Sequence, residues 1–235
     1  DDGLHSYLGR SRERPLVRRV DELAKRVGYG RWARWVPQIG TSPWIAESWV
    51  AFPDEILDQD PARQRRQLPR EWFERRDFLR LSVLAAREFK VERAALAACS
   101  AVVVLPHSKL LRGNQALVLR LQRMMASADA CGRRLALKYH PREREEDPAG
   151  LLASSAALVL PKLLPMELLL PLLPADALLA GEASTALLAA RWLRPDLAVR
   201  DLASAQGDYA QRARALFARH GIGPLDETAL SAGGC

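Results

Sequence analysis

The chain has 235 residues, 49% of them apolar, enough to bury one large or two small cores. Its formal net charge of +7 is carried mostly by arginine and points to anionic partners: nucleic acid, anionic lipid or phosphorylated substrates. No helix-turn-helix, RNP or zinc signature accompanies that charge, which disfavours a specific nucleic-acid binder, and three cysteines without a C-x-x-C pair supply no disulfide framework.

The sequence opens on Asp1-Asp2-Gly3, read as the end of a strand whose upstream part is missing. Ser11 to Arg26 has a helical pattern, with Leu16, Val17, Val20, Leu23 and Val27 on one face and Gly28 and Gly30 closing it. Trp32, Trp35, Trp44 and Trp49 follow among prolines and glycines. Such a cluster can stack bases or sugars, but packing of a loop-rich layer is the expectation here. Pro53 to Glu55 starts a short helical or loop segment. Trp72 to Glu88 reads as a helix with Trp72, Phe73, Leu79, Val83 and Leu84 on its apolar face, and Val91 to Cys99 as a helix or connector. A domain boundary is expected there. Cys99 and Cys131 stand in apolar, Ala-rich settings and read as buried thiols of a reducing compartment.

From Ser100 the rhythm becomes strand, helix, strand. Ala101 to Leu105 is a buried-strand run ending in Pro106-His107-Ser108. Asn114 to Cys131 is a helix with Gly132 as its C-cap. A second strand, Leu135 to Leu137, stops abruptly at Lys138-Tyr139-His140-Pro141, and a charged loop runs from Arg142 to Gly150. Ala156 to Leu160 is a third strand. The leucine-rich run from Pro161 to Ala180 is interrupted by Pro161, Pro165, Pro171, Pro174, Lys162, Glu167 and Asp176, which argues against a membrane span. It divides instead into a short helix, Met166 to Leu173, and a strand, Ala177 to Ala180. Gly181 to Thr185 is a turn opening a helix to Leu193; a strand over Leu197 to Leu202 and a helix over Asp208 to His220 complete an α/β pattern.

Parallel strands would bring three polar ends to one edge of the sheet: Lys138 with His140, Pro165 with Glu167, and Ser184 with Thr185. Hydroxyls at a helix start, beside free backbone N–H groups, suit a phosphate, although Ser184 can equally be a plain N-cap. Gly181 before them favours a close backbone approach. Glu167 either complements a helix dipole or accepts hydrogen bonds from ribose hydroxyls. His140 has the side chain best suited to proton transfer near neutral pH. His107 reads as a structural or surface residue.

In this order, Asp1-Asp2-Gly3, Lys138-Tyr139-His140-Pro141, Leu164-Pro165-Met166-Glu167 and Gly181-Glu182-Ala183-Ser184-Thr185 resemble the motifs of the bacterial sialyltransferase and polysialyltransferase group of GT-B glycosyltransferases. The resemblance implies an α/β, GT-B-like fold. Residues 1–98 would be the C-terminal part of an acceptor-side domain with its linker, and residues 99–235 one complete Rossmann-like domain that binds CMP. It implies an inverting, metal-independent transfer of sialic acid from CMP-sialic acid to a glycan hydroxyl, in capsule or lipooligosaccharide synthesis, with no cofactor. Asp2, supported by Asp1, would be the general base. His140 would stabilise or protonate the departing phosphate, with Lys138 beside it. Gly181, Ser184 and Thr185 would hold that phosphate, Glu167 the ribose, and the backbone around Pro165 the cytosine.

The implied partners are a CMP-activated sugar and a glycan acceptor, polyanionic or lipid-linked in one version. Location would be cytoplasmic, with peripheral contact at an anionic inner membrane face as an option. The rival readings are transfer of another CMP-activated acid sugar, a non-catalytic nucleotide- or glycan-binding remnant and, more remotely, a basic nucleic-acid binder.

Overall fold

The computed structural model describes residues 4–9, 15–32, 44–56 and 64–226, in two compact units, Asp1–Leu68 and Pro69–Cys235. In the first unit a short helix α1 (His5–Leu8) is followed by α2 (Pro15–Tyr29), whose N-terminal proline suits the first helical position. Gly30, at φ +93°, lies just past its end. The predicted apolar stripe is present but exposed at Leu16, Val20, Leu23 and Val27. Two strands not anticipated from sequence, β1 (Glu47–Val50) and β2 (Gln64–Gln67), pair in parallel. The Gln-Arg-Arg-Gln run of β2 carries no apolar signal. Arg66 spans to Glu47 at 2.7 Å and lies over the Trp49 ring at 5.6 Å. Trp32, Trp44 and Trp49 are exposed, so the packed tryptophan layer expected from sequence is not formed by them; Trp35 lies outside the described residues.

The second unit begins with α3 (Glu71–Glu74), α4 (Arg76–Glu88) and α5 (Arg93–Ala97). Arg75 adopts extended dihedrals (φ −65°, ψ 145°) and splits the helix expected over Trp72 to Glu88. The face α4 buries carries Ser82 and Ala86, whereas Leu79 and Leu84 point outward. Phe73 meets Phe78 and Trp192 edge-on at 5.0 and 5.2 Å. These helices pack within the second unit, so its start falls at Pro69, earlier than the boundary expected at 98/99.

The remaining elements are β3 (Cys99–Val104), α6 (Ser108–Arg112), α7 (Gln115–Ala130), β4 (Arg134–Lys138), β5 (Ala157–Leu160), α8 (Met166–Leu169) with a 3-10 turn (Leu170–Leu172), β6 (Leu178–Gly181), α9 (Thr185–Leu193), β7 (Ala198–Asp201), α10 (Asp208–Arg219) and β8 (Gly223–Pro224). The six strands form one parallel sheet in the order β5-β4-β3-β6-β7-β8. The chain starts at β3, winds outward to β5, then crosses to β6 and winds the other way. This is the Rossmann-like order, with its topological switch between β3 and β6. The β-branched run of β3 suits a strand buried on both faces, and Ala101, Val102 and Val103 are each 1% exposed. Gly132 takes φ +63° after α7, as its C-cap role requires. Cys99 is a buried free thiol, as expected, whereas Cys131 is only half-buried. Among the described residues no helix is long and apolar enough to cross a membrane.

Candidate functional site

The register aligns five residues across the carboxyl edge of the sheet: Leu160 pairs with Lys138, Lys138 with Val104, Val104 with Gly181, and Gly181 with Asp201. The loops after these positions therefore leave the sheet side by side. In parallel α/β sheets this edge, at the switch point, is where ligands bind. It carries every described residue selected from sequence. Asp1 and Asp2 lie outside the described residues.

At the switch itself, Gly181 is buried and close to its neighbour strand. A Cβ there would lie 3.1 Å from the Val104 carbonyl oxygen and 3.2 Å from Val104 Cβ. The close approach is thus to β3. Ser184 is the N-cap of α9, and its Oγ accepts the Ala186 N–H at 3.2 Å. Thr185 opens the helix, half-buried beside it. Ala183 sits at φ +35°, in the left-handed region that non-glycine residues seldom occupy.

Two carboxylates unassigned from sequence hold this turn. Glu182 is buried and accepts the Ser204 N–H at 3.0 Å, the Ser204 hydroxyl at 2.5 Å and the Ala205 N–H at 2.8 Å. It ties the loop after β6 to the loop after β7. Asn114, the N-cap of α7, donates to the Ser204 hydroxyl at 3.1 Å and adds a third loop. Asp201 is buried and accepts the Ala183 N–H at 3.3 Å. Burial pushes its pKa up, with the Glu182 charge adding to the rise, while backbone N–H groups of Ala203 and Ala183 oppose it.

On the other side of the switch, Lys138 is only 4% exposed. Its ammonium donates to the Lys162 carbonyl at 2.8 Å and to the Tyr139 carbonyl at 3.5 Å. Burial lowers its pKa to about 8, and the nearby Glu167 carboxylate pulls it back up. Lys138 is therefore first a tie between β4 and the loop after β5. Glu167 is half-buried in the first turn of α8, next to the exposed Pro165 at its N-cap.

The Lys162 ammonium continues the chain of ties, donating to the Glu143 carbonyl at 2.8 Å. The Glu143 carboxylate is buried and accepts backbone N–H groups from Ser108 at 2.7 Å, Arg144 at 2.8 Å and Glu145 at 2.9 Å. Burial pushes its pKa up, but the N–H donors of Glu145, Ser108 and Arg144 outweigh that and hold it at about 2. It binds the loop after β4 to the loop after β3. Tyr139 donates to Asp147 at 3.2 Å, and Asp147 accepts the Leu151 and Leu152 N–H groups, which pins the charged loop that replaces a crossover helix between β4 and β5.

Those ties place two imidazoles against each other. His140 is half-buried, and its ring centroid lies 5.5 Å from that of His107, at an interplanar angle of 64°. His107 Nδ1 lies 3.9 Å from the Glu143 carboxylate. Burial pushes the His140 pKa down, and the positive charge of Arg142 and the His107 ring act in the same direction.

No family model and no curated protein matches the chain. The structure brings Lys138, His140, Pro165, Glu167, Gly181, Ser184 and Thr185 to one sheet edge, and adds His107, Glu143, Glu182 and Asp201 to them. A signal for the acids did exist. Glu182 stands inside the Gly-to-Ser turn, and Asp201 ends an apolar strand, where a carboxylate is tolerated only if hydrogen-bonded. Among the described residues no group of three or more His, Cys, Asp or Glu side chains is arranged to hold a metal ion.

Proposed function

We propose that this chain is part of an inverting glycosyltransferase of the sialyltransferase and polysialyltransferase type, which moves sialic acid from CMP-sialic acid to a glycan hydroxyl. The observation that carries the reading is the single row of strand ends at a Rossmann-like switch point, with His140 on one side and the capped Ser184-Thr185 helix start on the other. An anion between them would meet imidazole N–H groups and the positive end of the dipole of a nine-residue helix. Glu167, in the first turn of α8, would accept hydrogen bonds from the ribose. A GT-B arrangement belongs to the same proposal.

In the transfer, the acceptor oxygen forms a bond to the anomeric carbon while the bond from that carbon to the phosphate oxygen breaks. The electron pair leaves with CMP. The acceptor proton goes to a carboxylate base, the role assigned to Asp2 with Asp1 in support. The site described here serves the leaving half: it receives the charge that develops on the phosphate, where preorganised donors lower the barrier most. Lys138 contributes through its charge, since its own hydrogen bonds go to carbonyls.

Calorimetric binding of CMP, UMP, AMP and GMP, followed by CMP release from a panel of CMP-activated acid sugars, tests the proposal. The expected result is a preference for CMP and release that depends on a glycan acceptor. Equal affinity for all four nucleotides refutes the donor assignment. CMP binding without release from any donor would make the chain a nucleotide-binding protein, and steeply salt-dependent nucleic-acid binding without a CMP preference would point to the basic-binder reading.

A further inference from the structure

His107 and His140 reach the sheet edge from different strands yet are held in the same way. His107 Nδ1 accepts the Lys109 N–H at 3.2 Å, as the N-cap of α6, and lies 3.3 Å from the Ser108 hydroxyl. His140 Nδ1 accepts the Arg142 N–H at 3.1 Å. In each ring, a backbone donor two residues on occupies the Nδ1 lone pair. A nitrogen that accepts a hydrogen bond carries no proton, so a neutral ring keeps its proton on Nε2. Protonating either ring would set an Nδ1–H against a backbone N–H and break the turn that holds it.

We propose that His107 and His140 form a clamp of two neutral imidazoles whose Nε2–H groups both donate to the phosphate of the nucleotide-activated sugar. This deepens the reading above and rests on it for the identity of the phosphate. It adds His107 as a binding residue and makes His140 a hydrogen-bond donor rather than a proton donor. A ring separation of 5.5 Å allows one anion to be shared, since each N–H···O bond spans about 2.9 Å. At His140, neutrality is also what the surroundings favour. The groups around His140 include Arg142, Lys138 and His107 against the single carboxylate of Glu143, and that carboxylate is already occupied by three backbone N–H groups. A neutral Nε2–H donor gives up no proton as the phosphate departs, so the leaving charge is stabilised by hydrogen bonds alone.

The decisive variant is His107→Asn. Its Oδ1 can take over the Lys109 N–H and preserve the cap, but nothing reaches the place of Nε2–H. The expected result is an unchanged melting temperature with CMP affinity lowered about tenfold or more, as for loss of one hydrogen bond to a charged group. His107→Gln, which carries an N–H donor further out, should recover most of that loss. Nitrogen-15 histidine spectra of the full chain should show both rings protonated on Nε2 only at pH 7, with and without CMP. Wild-type CMP affinity in His107→Asn, or an imidazolium at either ring with CMP bound, would overturn the clamp. If the chain instead binds UMP or inorganic phosphate and loses that affinity in His107→Asn, the CMP assignment fails and the clamp stands. Absence of binding to CMP, UMP and inorganic phosphate at millimolar concentration would overturn both.

Discussion

Glu143 offers a direct test of the ties that hold this edge, because its carboxylate is spent on backbone N–H groups. Its carboxylate accepts three backbone N–H groups, one of them from Ser108, 35 residues earlier in the chain. In Glu143→Gln the amide keeps one acceptor oxygen and presents an N–H2 group to donors it cannot satisfy. Hydrogen bonds to charged groups contribute about 1.5–3 kcal/mol each, and the retained oxygen recovers part of them, so a loss of about 2–3 kcal/mol at pH 7 is expected. For a unit of this size that lowers the melting temperature by about 4–10 °C. The carboxyl is held at about 2 in the folded chain against an ordinary 4.5. A depressed carboxylate pKa stabilises the fold fully above the unfolded value, and that contribution is lost as pH falls from 4.5 toward 2. Urea unfolding of both proteins at a series of pH values should therefore show a gap at neutral pH that narrows through this window. A gap that is absent at pH 7, or that stays constant down to pH 3, would refute the assignment of Glu143 as an ionised backbone anchor.

Three further outcomes follow from the same edge. Gly181→Ala should cost about 1–3 kcal/mol in urea unfolding, because its new Cβ would press on the Val104 backbone oxygen at 3.1 Å, which has no flexible side chain to yield. Lys138 has its pKa lowered to about 8 from 10.5, so wild-type stability should gain from this group as pH rises between those values, and Lys138→Met should lose that gain in parallel melts. Ser184→Asp keeps an N-cap acceptor and complements the helix dipole, so the melting temperature should hold or rise while CMP affinity, measured by calorimetry, falls at least about tenfold through repulsion.

Much of the second unit was legible because its signals are local. The β-branched run of β3 and the Gly132 cap need only their own neighbours to be read. So does the Ser184 cap, where a hydroxyl precedes a helical run directly. The helix expected over Asn114 to Cys131 is observed over Gln115–Ala130, with Asn114 capping it. The acids were not legible in the same way, since their meaning lies in partners distant in sequence: Ser108 for Glu143, Ser204 for Glu182, Ala183 for Asp201. Periodicity also misplaced the buried face of α4. There the small residues Ser82 and Ala86 face inward, and bulk alone could not distinguish them from Leu79 and Leu84, which are exposed. The structural role expected of His107 is met by its cap on α6, whereas its pairing with His140 was not legible, since only the register of β3 with β4 reveals it.

The arrangement has an electrostatic logic that bears on why a buried lysine belongs at this edge. A phosphate held by His107 and His140 would lie near the Glu143 carboxylate, itself 3.9 Å from His107 Nδ1. Two anions that close repel, and beside a buried carboxylate the repulsion is poorly screened. Three backbone N–H dipoles offset part of it at the carboxylate. The remainder falls to the two ammonium groups in the same network: Lys162, bonded to the Glu143 carbonyl, and Lys138, bonded to the Lys162 carbonyl. Neither needs to touch the ligand to act, since charge works over longer distances than hydrogen bonds do. Lys138 thus serves both as a tie between loops and as a fixed positive charge behind the imidazoles, and its lowered pKa reflects what burial there costs. On this account the neutral histidines supply direction and the two lysines, Lys138 buried and Lys162 exposed, supply charge. A site divided in that way can hold an anion without ever forming an imidazolium.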